Sequence, residues 1–281
     1  MNIQKIFGEA KLWSLLEIFE SKGYFEGDGQ SWDPDLEKIA KQLIKKTGLE
    51  IPTLVKIIRY YRNAENRLRG RLTTPIQYSH EGINLCAYID YLEIRALSIS
   101  PRIDEILKEE KYDVGIELGS GPGTNIFLLK QAGIINRASI LDTDDVIHAL
   151  DTNYTTRVDF VFNGNLTLLS SWESLKKIFN SKERNMLLLS DVLHGKTLQQ
   201  RKFLFSCIQS NPFLGDYYIR EFSGFSSLDA FMFDIQLDLF AKGQTLSFNQ
   251  IKKEIGLFNL SLESLWKGKF YWIAKIVPLR R

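Results

Sequence analysis

The sequence predicts a two-part α/β protein: a helical, winged-helix-like unit over residues 1–100, then a doubly wound, mostly parallel seven-stranded sheet with an antiparallel last strand over residues 101–281. Three observations predict it. Apolar residues recur at helical spacing before about Ala96, short apolar runs alternate with helical segments after Lys111, and a glycine-rich turn joins the first such run to a helix. At 281 residues, 44% of them hydrophobic, the chain has material for one large domain or for a core with an appendage.

In the N-terminal part, Leu12, Leu15, Leu16 and Phe19 mark one helix and Leu36, Ile39, Ala40, Leu43 and Ile44 a second. Glycines and aspartates between Lys22 and Pro34 separate them, and Ile51-Pro52 stands where a third helix, Thr53 to Arg62, would start. Arg67, Arg69 and Arg71 then alternate with Leu68, Gly70 and Leu72, as in a β-ribbon. Three helices and a ribbon resemble a winged helix. Such a unit can bind DNA, but acids including Glu17, Glu20, Glu26, Asp28, Asp33, Asp35 and Glu37 dilute the positive charge that nucleic-acid modules concentrate. A dimerisation or lid role is the plainer expectation. Tyr88 to Leu107 reads as a helical connection broken at Pro101.

After Lys111 the expected strands are Asp113–Leu118, Ala138–Leu141, Val158–Phe162, Met186–Leu189 and Tyr217–Arg220. Helices fall near Thr124–Ala132, Asp145–Leu150, Trp172–Phe179 and Thr197–Ser210. Strands this apolar require cover on both faces, which a parallel sheet flanked by helices supplies. Leu260–Trp266 and Phe270–Val277, joined through Gly268, read as an antiparallel hairpin at the sheet edge.

The segment Val114 to Thr124 places Gly119, Gly121 and Gly123 directly after the first strand and before a helix. Glycine permits the sharp turn and the close approach of a ligand to the backbone, and the helix start offers free N–H groups. Glu117, at the strand's end, can accept from a ligand ammonium or from the turn itself. Asp142 closes the next strand 25 positions later, where a carboxylate can accept both hydroxyls of a ribose. A nicotinamide fingerprint needs G-x-G-x-x-G; here the third glycine comes one residue early and Thr124 occupies the expected place, which disfavours a pyrophosphate. Asn185 to Gly195 is a strand ending in Ser190, Asp191 and His194, at the edge where open α/β sheets bind ligands. A histidine there suits a general base, and packing against backbone is its structural alternative.

The acidic residue followed by G-x-G-x-G, together with Asp142, resembles the first motif of class I S-adenosylmethionine-dependent methyltransferases, a likeness covering Val114 to Val277 and implying a Rossmann-like sheet. Val192-Leu193-His194 is similar to the small-molecule O-methyltransferases of the caffeate and hydroxyindole type, which also carry an N-terminal winged-helix-like dimerisation domain. The resemblance implies S-adenosyl-L-methionine as cofactor, a small-molecule methyl acceptor, a homodimer and a setting such as secondary metabolism. Glu117, Gly119, Gly121, Gly123, Asp142, Thr143, Asn165, Ser190 and Asp191 would then hold the cofactor, Asn165 near the adenine. His194 would be the base and Glu221 the acid that orients it. The sequence departs from the family at Gly195 and Lys196, where aspartate and tryptophan are usual, at Asn165, usually aspartate, and at Gln244, where a second flanking glutamate is common. Phe222, Phe225, Phe231, Phe233 and Phe240 could line an acceptor pocket, and core packing explains them equally well.

With 36 basic against 34 acidic residues, the charge balance makes no case for nucleic acid or an anionic membrane. Charges interrupt Met1 to Glu20, and no apolar run reaches the roughly 18–20 residues that span a bilayer, so a cytoplasmic protein is expected. Cys86 and Cys207 form no metal-binding or disulfide pattern, and no metal is expected. Two other activities share these features: a non-methylating reaction, such as a cyclisation, that uses the cofactor's fixed charge, and a cofactor-sensing DNA-binding regulator.

Overall fold

The computed structural model describes residues 102–150, 152–179, 182–222, 246–268 and 271–279, with isolated positions at Lys41, Ile89, Leu92, Glu93, Ala96 and Leu97. The chain divides into two compact units, Met1–Leu72 with Gly82–Ile94, and Thr73–Glu81 with Arg95–Arg281. The winged-helix-like elements, Arg67, Arg69, Arg71, Gln244 and the aromatic run Phe225 to Phe240 lie outside the described residues.

The second unit is a seven-stranded sheet. In chain order its elements are α1 (Ile103–Ile106), β1 (Tyr112–Leu118), α2 (Thr124–Gln131), β2 (Ile135–Asp142), α3 (Asp144–Ala149), α4 (Thr152–Thr155), β3 (Phe160–Asn163), α5 (Leu169–Ile178), β4 (Asn185–Ser190), α6 (Leu198–Ser210), β5 (Asp216–Phe222), α7 (Phe248–Gly256), β6 (Leu260–Lys267) and β7 (Tyr271–Pro278). The spatial order is β3-β2-β1-β4-β5-β7-β6. Strands β1 to β5 pair in parallel, and β7 inserts antiparallel between β5 and the edge strand β6. The tail is thus the expected hairpin, with its second strand taken inside the sheet. The chain reverses between β1 and β4, which opens a crevice at the C-terminal ends of the central strands.

Burial explains the run Met186-Leu-Leu-Leu189. All four residues are at most 1% exposed, because β4 lies mid-sheet with both faces covered. One face packs on Trp172, Leu175, Leu204, Phe205, Ile251 and Ile255. Helix α7 was absent from the sequence reading, although Phe248, Ile251 and Ile255 are helically spaced and the Ser247 hydroxyl caps the helix by accepting from Gln250 N. Helix α6 starts, as expected, on a capping box between Thr197 and Gln200. Buried Arg201 grips Glu254 of α7 through two hydrogen bonds of 2.8 Å, and its Nη1 donates to the Lys196 carbonyl at 2.6 Å. That last contact anchors the far end of the turn that carries His194. Among the described residues, no helix is long and apolar enough to cross a membrane.

Candidate active site

The parallel strands end on one rim, which brings Glu117, Asp142, Ser190 and Glu221 to the same edge of the sheet although they are scattered over about a hundred positions of sequence. The glycine turn there is left-handed three times, with φ of +70° at Gly119, +52° at Gly121 and +67° at Gly123. A Cβ at Gly119 would stand 2.9 Å from a Val192 methyl, and one at Gly123 would stand 2.6 Å from a methyl of Ile140, so both backbone conformation and space demand glycine.

Asp142 locks this turn to the neighbouring strand. Its Oδ2 accepts from Gly121 N at 2.8 Å and its Oδ1 from Thr143 N at 2.7 Å, while Gly119 N donates to the Leu141 carbonyl at 2.7 Å. A carboxylate has about four acceptor directions, and ribose hydroxyls are donors of the kind it accepts. A side-chain-free turn beside an oriented carboxylate fits an adenosine-containing cofactor. Thr143 is the N-cap residue of α3 and supplies only its backbone to Asp142 at short range; its hydroxyl is 3.5 Å away. Asn165 sits in the loop after β3, its side-chain oxygen accepting from Thr167 N and Thr167 Oγ1 at 2.9 and 2.8 Å.

Glu117, expected to accept from a ligand ammonium or from the turn, takes its donors within the protein from the helix beyond the turn. Oε1 accepts from Asn125 Nδ2 at 2.7 Å and Oε2 from Ile126 N at 3.1 Å, both in the first turn of α2. Burial pushes this carboxyl up to about 7, against the lowering effect of Asn125, nearby Arg220 and the Ile126 N–H. Asn125 also donates to Ser190 Oγ at 3.1 Å, and its side-chain oxygen accepts from Arg220 Nη1 at 2.6 Å. The second guanidinium nitrogen of Arg220 donates to Asp191 Oδ2 at 2.6 Å. Asp191 adopts φ +56°, a conformation that costs a non-glycine residue of order 1 kcal/mol.

That kink turns the chain into a short 3-10 segment, Leu193–Gly195, and presents His194 to Glu221. His194 Nδ1 lies 2.6 Å from Glu221 Oε1, while Oε2 accepts from Leu193 N at 2.8 Å. Glu221 is fully buried and His194 only 4% exposed. A carboxylate on Nδ1 selects the tautomer with the proton on Nδ1, which leaves the ring's lone pair on Nε2. Asp191, His194 and Glu221 bring ligand-type atoms within 4.8 Å of one another, yet the cluster is occupied by the His194–Glu221 hydrogen bond and the Asp191–Arg220 ion pair. Half-buried Lys196 is pushed below the usual lysine range by desolvation, and Asp142 opposes the shift.

Sequence reasoning missed Asn125 and Arg220. A signal existed for the second: an arginine followed by a glutamate in an apolar central strand must find partners, because a buried unpaired charge is prohibitively costly.

By sequence, the chain matches no family model and no curated protein. Its architecture matches solved structures over nearly its whole length. An O-methyltransferase family protein from Burkholderia thailandensis is 12% identical, with 98% of this chain and 96% of that one covered and a TM-score of 0.65. Human N-acetylserotonin methyltransferase, solved with SAM, is 9% identical over 98% and 96%, with a TM-score of 0.64. PigF, solved with SAH, is 12% identical over 98% and 99%, with a TM-score of 0.66. The chain has the class I methyltransferase fold. The seven-stranded order with β7 antiparallel meets the expectation drawn from the glycine motif and the tail hairpin.

Proposed function

We propose that this methyltransferase-fold protein transfers a methyl group from S-adenosyl-L-methionine to an oxygen of a small, hydroxylated and partly aromatic metabolite. The observation that carries this reading is the meeting of an Asp142-bound glycine turn and a Glu221-bound histidine on one rim of the sheet. The solved relatives with SAM or SAH bound support the cofactor. When bound, the cofactor supplies a methyl group already activated by its sulfonium.

The protein's task is then alignment and exclusion of water, with the acceptor oxygen held about 3 Å from the methyl carbon. Asp142 receives the ribose, and the glycine turn lets the ligand lie against backbone. His194 Nε2 would take the acceptor's hydroxyl proton as the oxygen attacks, and the Glu221 carboxylate would offset the positive charge that the ring then bears. Calorimetry with S-adenosylmethionine, then turnover against a panel of phenols, carboxylic acids and amines, tests this reading. Absence of binding to both the cofactor and its demethylated product would refute it, and release of S-adenosylhomocysteine distinguishes methyl transfer from a reaction that only borrows the fixed charge.

Glu117 makes the affinity for the cofactor pH-dependent. Its carboxyl, raised from 4.5 to about 7 in the folded protein, ionises near neutrality, and a cationic cofactor favours the ionised form. Affinity for S-adenosylmethionine is therefore expected to be full above about pH 7 and to weaken as pH falls below it. Glu117→Gln removes the dependence, and titrations in two buffers of different ionisation enthalpy would count the proton released. Linkage gives the free protein the opposite trend. The folded state holds this proton more tightly than the unfolded state does, so its stability falls as pH rises from 4.5 to about 7.

A further inference from the structure

Arg220 and Glu221 are consecutive in β5, so their side chains leave opposite faces of the sheet. Both nevertheless end on the same turn: Arg220 holds Asp191 at its beginning, and Glu221 holds Leu193 and His194 two and three residues later. The backbone joins in, with Asp191 N donating to the Arg220 carbonyl at 2.9 Å. On its other side the Arg220 guanidinium reaches Asn125, whose amide clasps Glu117 at the root of the glycine turn. The group is 2% exposed, and its planar fork meets two acceptors lying in different directions, a geometry that an ammonium does not reproduce.

We propose that Arg220 is a positioning residue that joins the glycine turn and the histidine turn into one rigid unit, through Asn125 on one side and Asp191 on the other. This rests on the methyl-transfer reading for its purpose, but its physical content is a coupling between two turns about 65 positions apart in sequence, which also meet directly in the bond from Asn125 to Ser190 and where Val192 lies against Gly119. Each turn needs the link for a different reason. Asp191 must be held in a left-handed conformation, and Asn125 must present one face to Glu117 and the other to the guanidinium. The titratable groups facing Glu117 are Arg220 from β5 and Asp191 from the turn after β4. Loss of the arginine therefore alters the cofactor side electrostatically as well as geometrically.

The test compares wild type with Arg220→Met, Arg220→Lys, Asp191→Asn and the double variant Arg220→Met/Asp191→Asn, which leaves neither member of the ion pair charged. Two quantities are read: the Kd for S-adenosylmethionine by calorimetry, across pH, and the ring resonances of His194 by NMR, which must be told apart from only two other histidines, His80 and His148. In Arg220→Met, affinity is expected to fall about 10-fold, the pH below which binding weakens to move upward, and the His194 resonances to shift while those of exposed His148 stay in place. Arg220→Lys restores the charge without the fork and is expected to return the pH behaviour but not the His194 resonances. Asp191→Asn is expected to weaken binding in the wild-type background and to add nothing once Arg220 is absent, the signature of an effect carried through the arginine.

A folded Arg220→Met that binds with wild-type affinity and leaves His194 unshifted overturns the proposal. So does an Asp191→Asn effect that persists without the arginine. If Arg220→Met does not fold, the lysine and double variants decide by the same readouts. If the wild type binds no S-adenosylmethionine, the methyl-transfer reading fails while the His194 resonances still test the coupling.

Discussion

In His194→Gln, turnover is expected to fall by ~10²-fold or more while the Kd for S-adenosylmethionine stays within about twofold of wild type. The asymmetry follows from the geometry. Asp142 and the glycine turn form their own hydrogen-bonded group, centred on the bonds from Gly121 N and Thr143 N. His194 is instead held by Glu221, which spends its two oxygens on the ring and on the backbone of the same turn. Glutamine can still donate to Glu221 but has no basic nitrogen to receive the acceptor's proton. Single-turnover measurements with saturating cofactor would isolate the chemical step, and an unchanged rate there would remove His194 from catalysis. Glu221→Gln is the companion experiment. It keeps the side chain's shape, loses the stabilisation of the imidazolium, and turns one of the N–H donors at Leu193 or Phe222 toward an NH₂ group, so a loss of stability of roughly 1–3 kcal/mol accompanies the loss of rate.

The second large effect is expected at the cofactor. Asp142→Ala should raise the Kd for S-adenosylmethionine by about 10²- to 10⁴-fold, since hydrogen bonds to a charged group are worth roughly 1.5–3 kcal/mol each and two ribose hydroxyls lose their acceptor. The same change frees Gly121 N, so part of the loss is a loosened turn. Gly123→Ala separates the two contributions. It leaves the carboxylate intact but places a methyl group 2.6 Å from Ile140 Cγ2 at a backbone φ of +67°, so it weakens binding by distorting the turn and lowers thermal stability as well. Calorimetry and thermal denaturation of both variants check this. Wild-type affinity in Asp142→Ala would rule out ribose recognition by this residue.

The legible part of the site was local. Glu117, the three glycines and Asp142 lie within one strand–turn–helix–strand unit, where spacing along the chain converts directly into spacing in space. His194 and Glu221 were each placed at a strand end by the sequence and were paired only through resemblance; the parallel register of β4 and β5 is what sets them 2.6 Å apart. Helix α7 escaped the reading because it is short and follows an aromatic run without clear period, although Ser247 marks its start.

Apolar period and glycine placement sufficed for the parallel sheet, the antiparallel final strand and the turn at residues 119–123, because each depends on contacts between near neighbours or on a backbone angle that one residue type tolerates. The sequence could not show that Asn125, Asp191 and Arg220 form one buried chain. Their partnership depends on strand order, which makes neighbours of residues as much as 95 positions apart, and on the need to neutralise a guanidinium taken out of water.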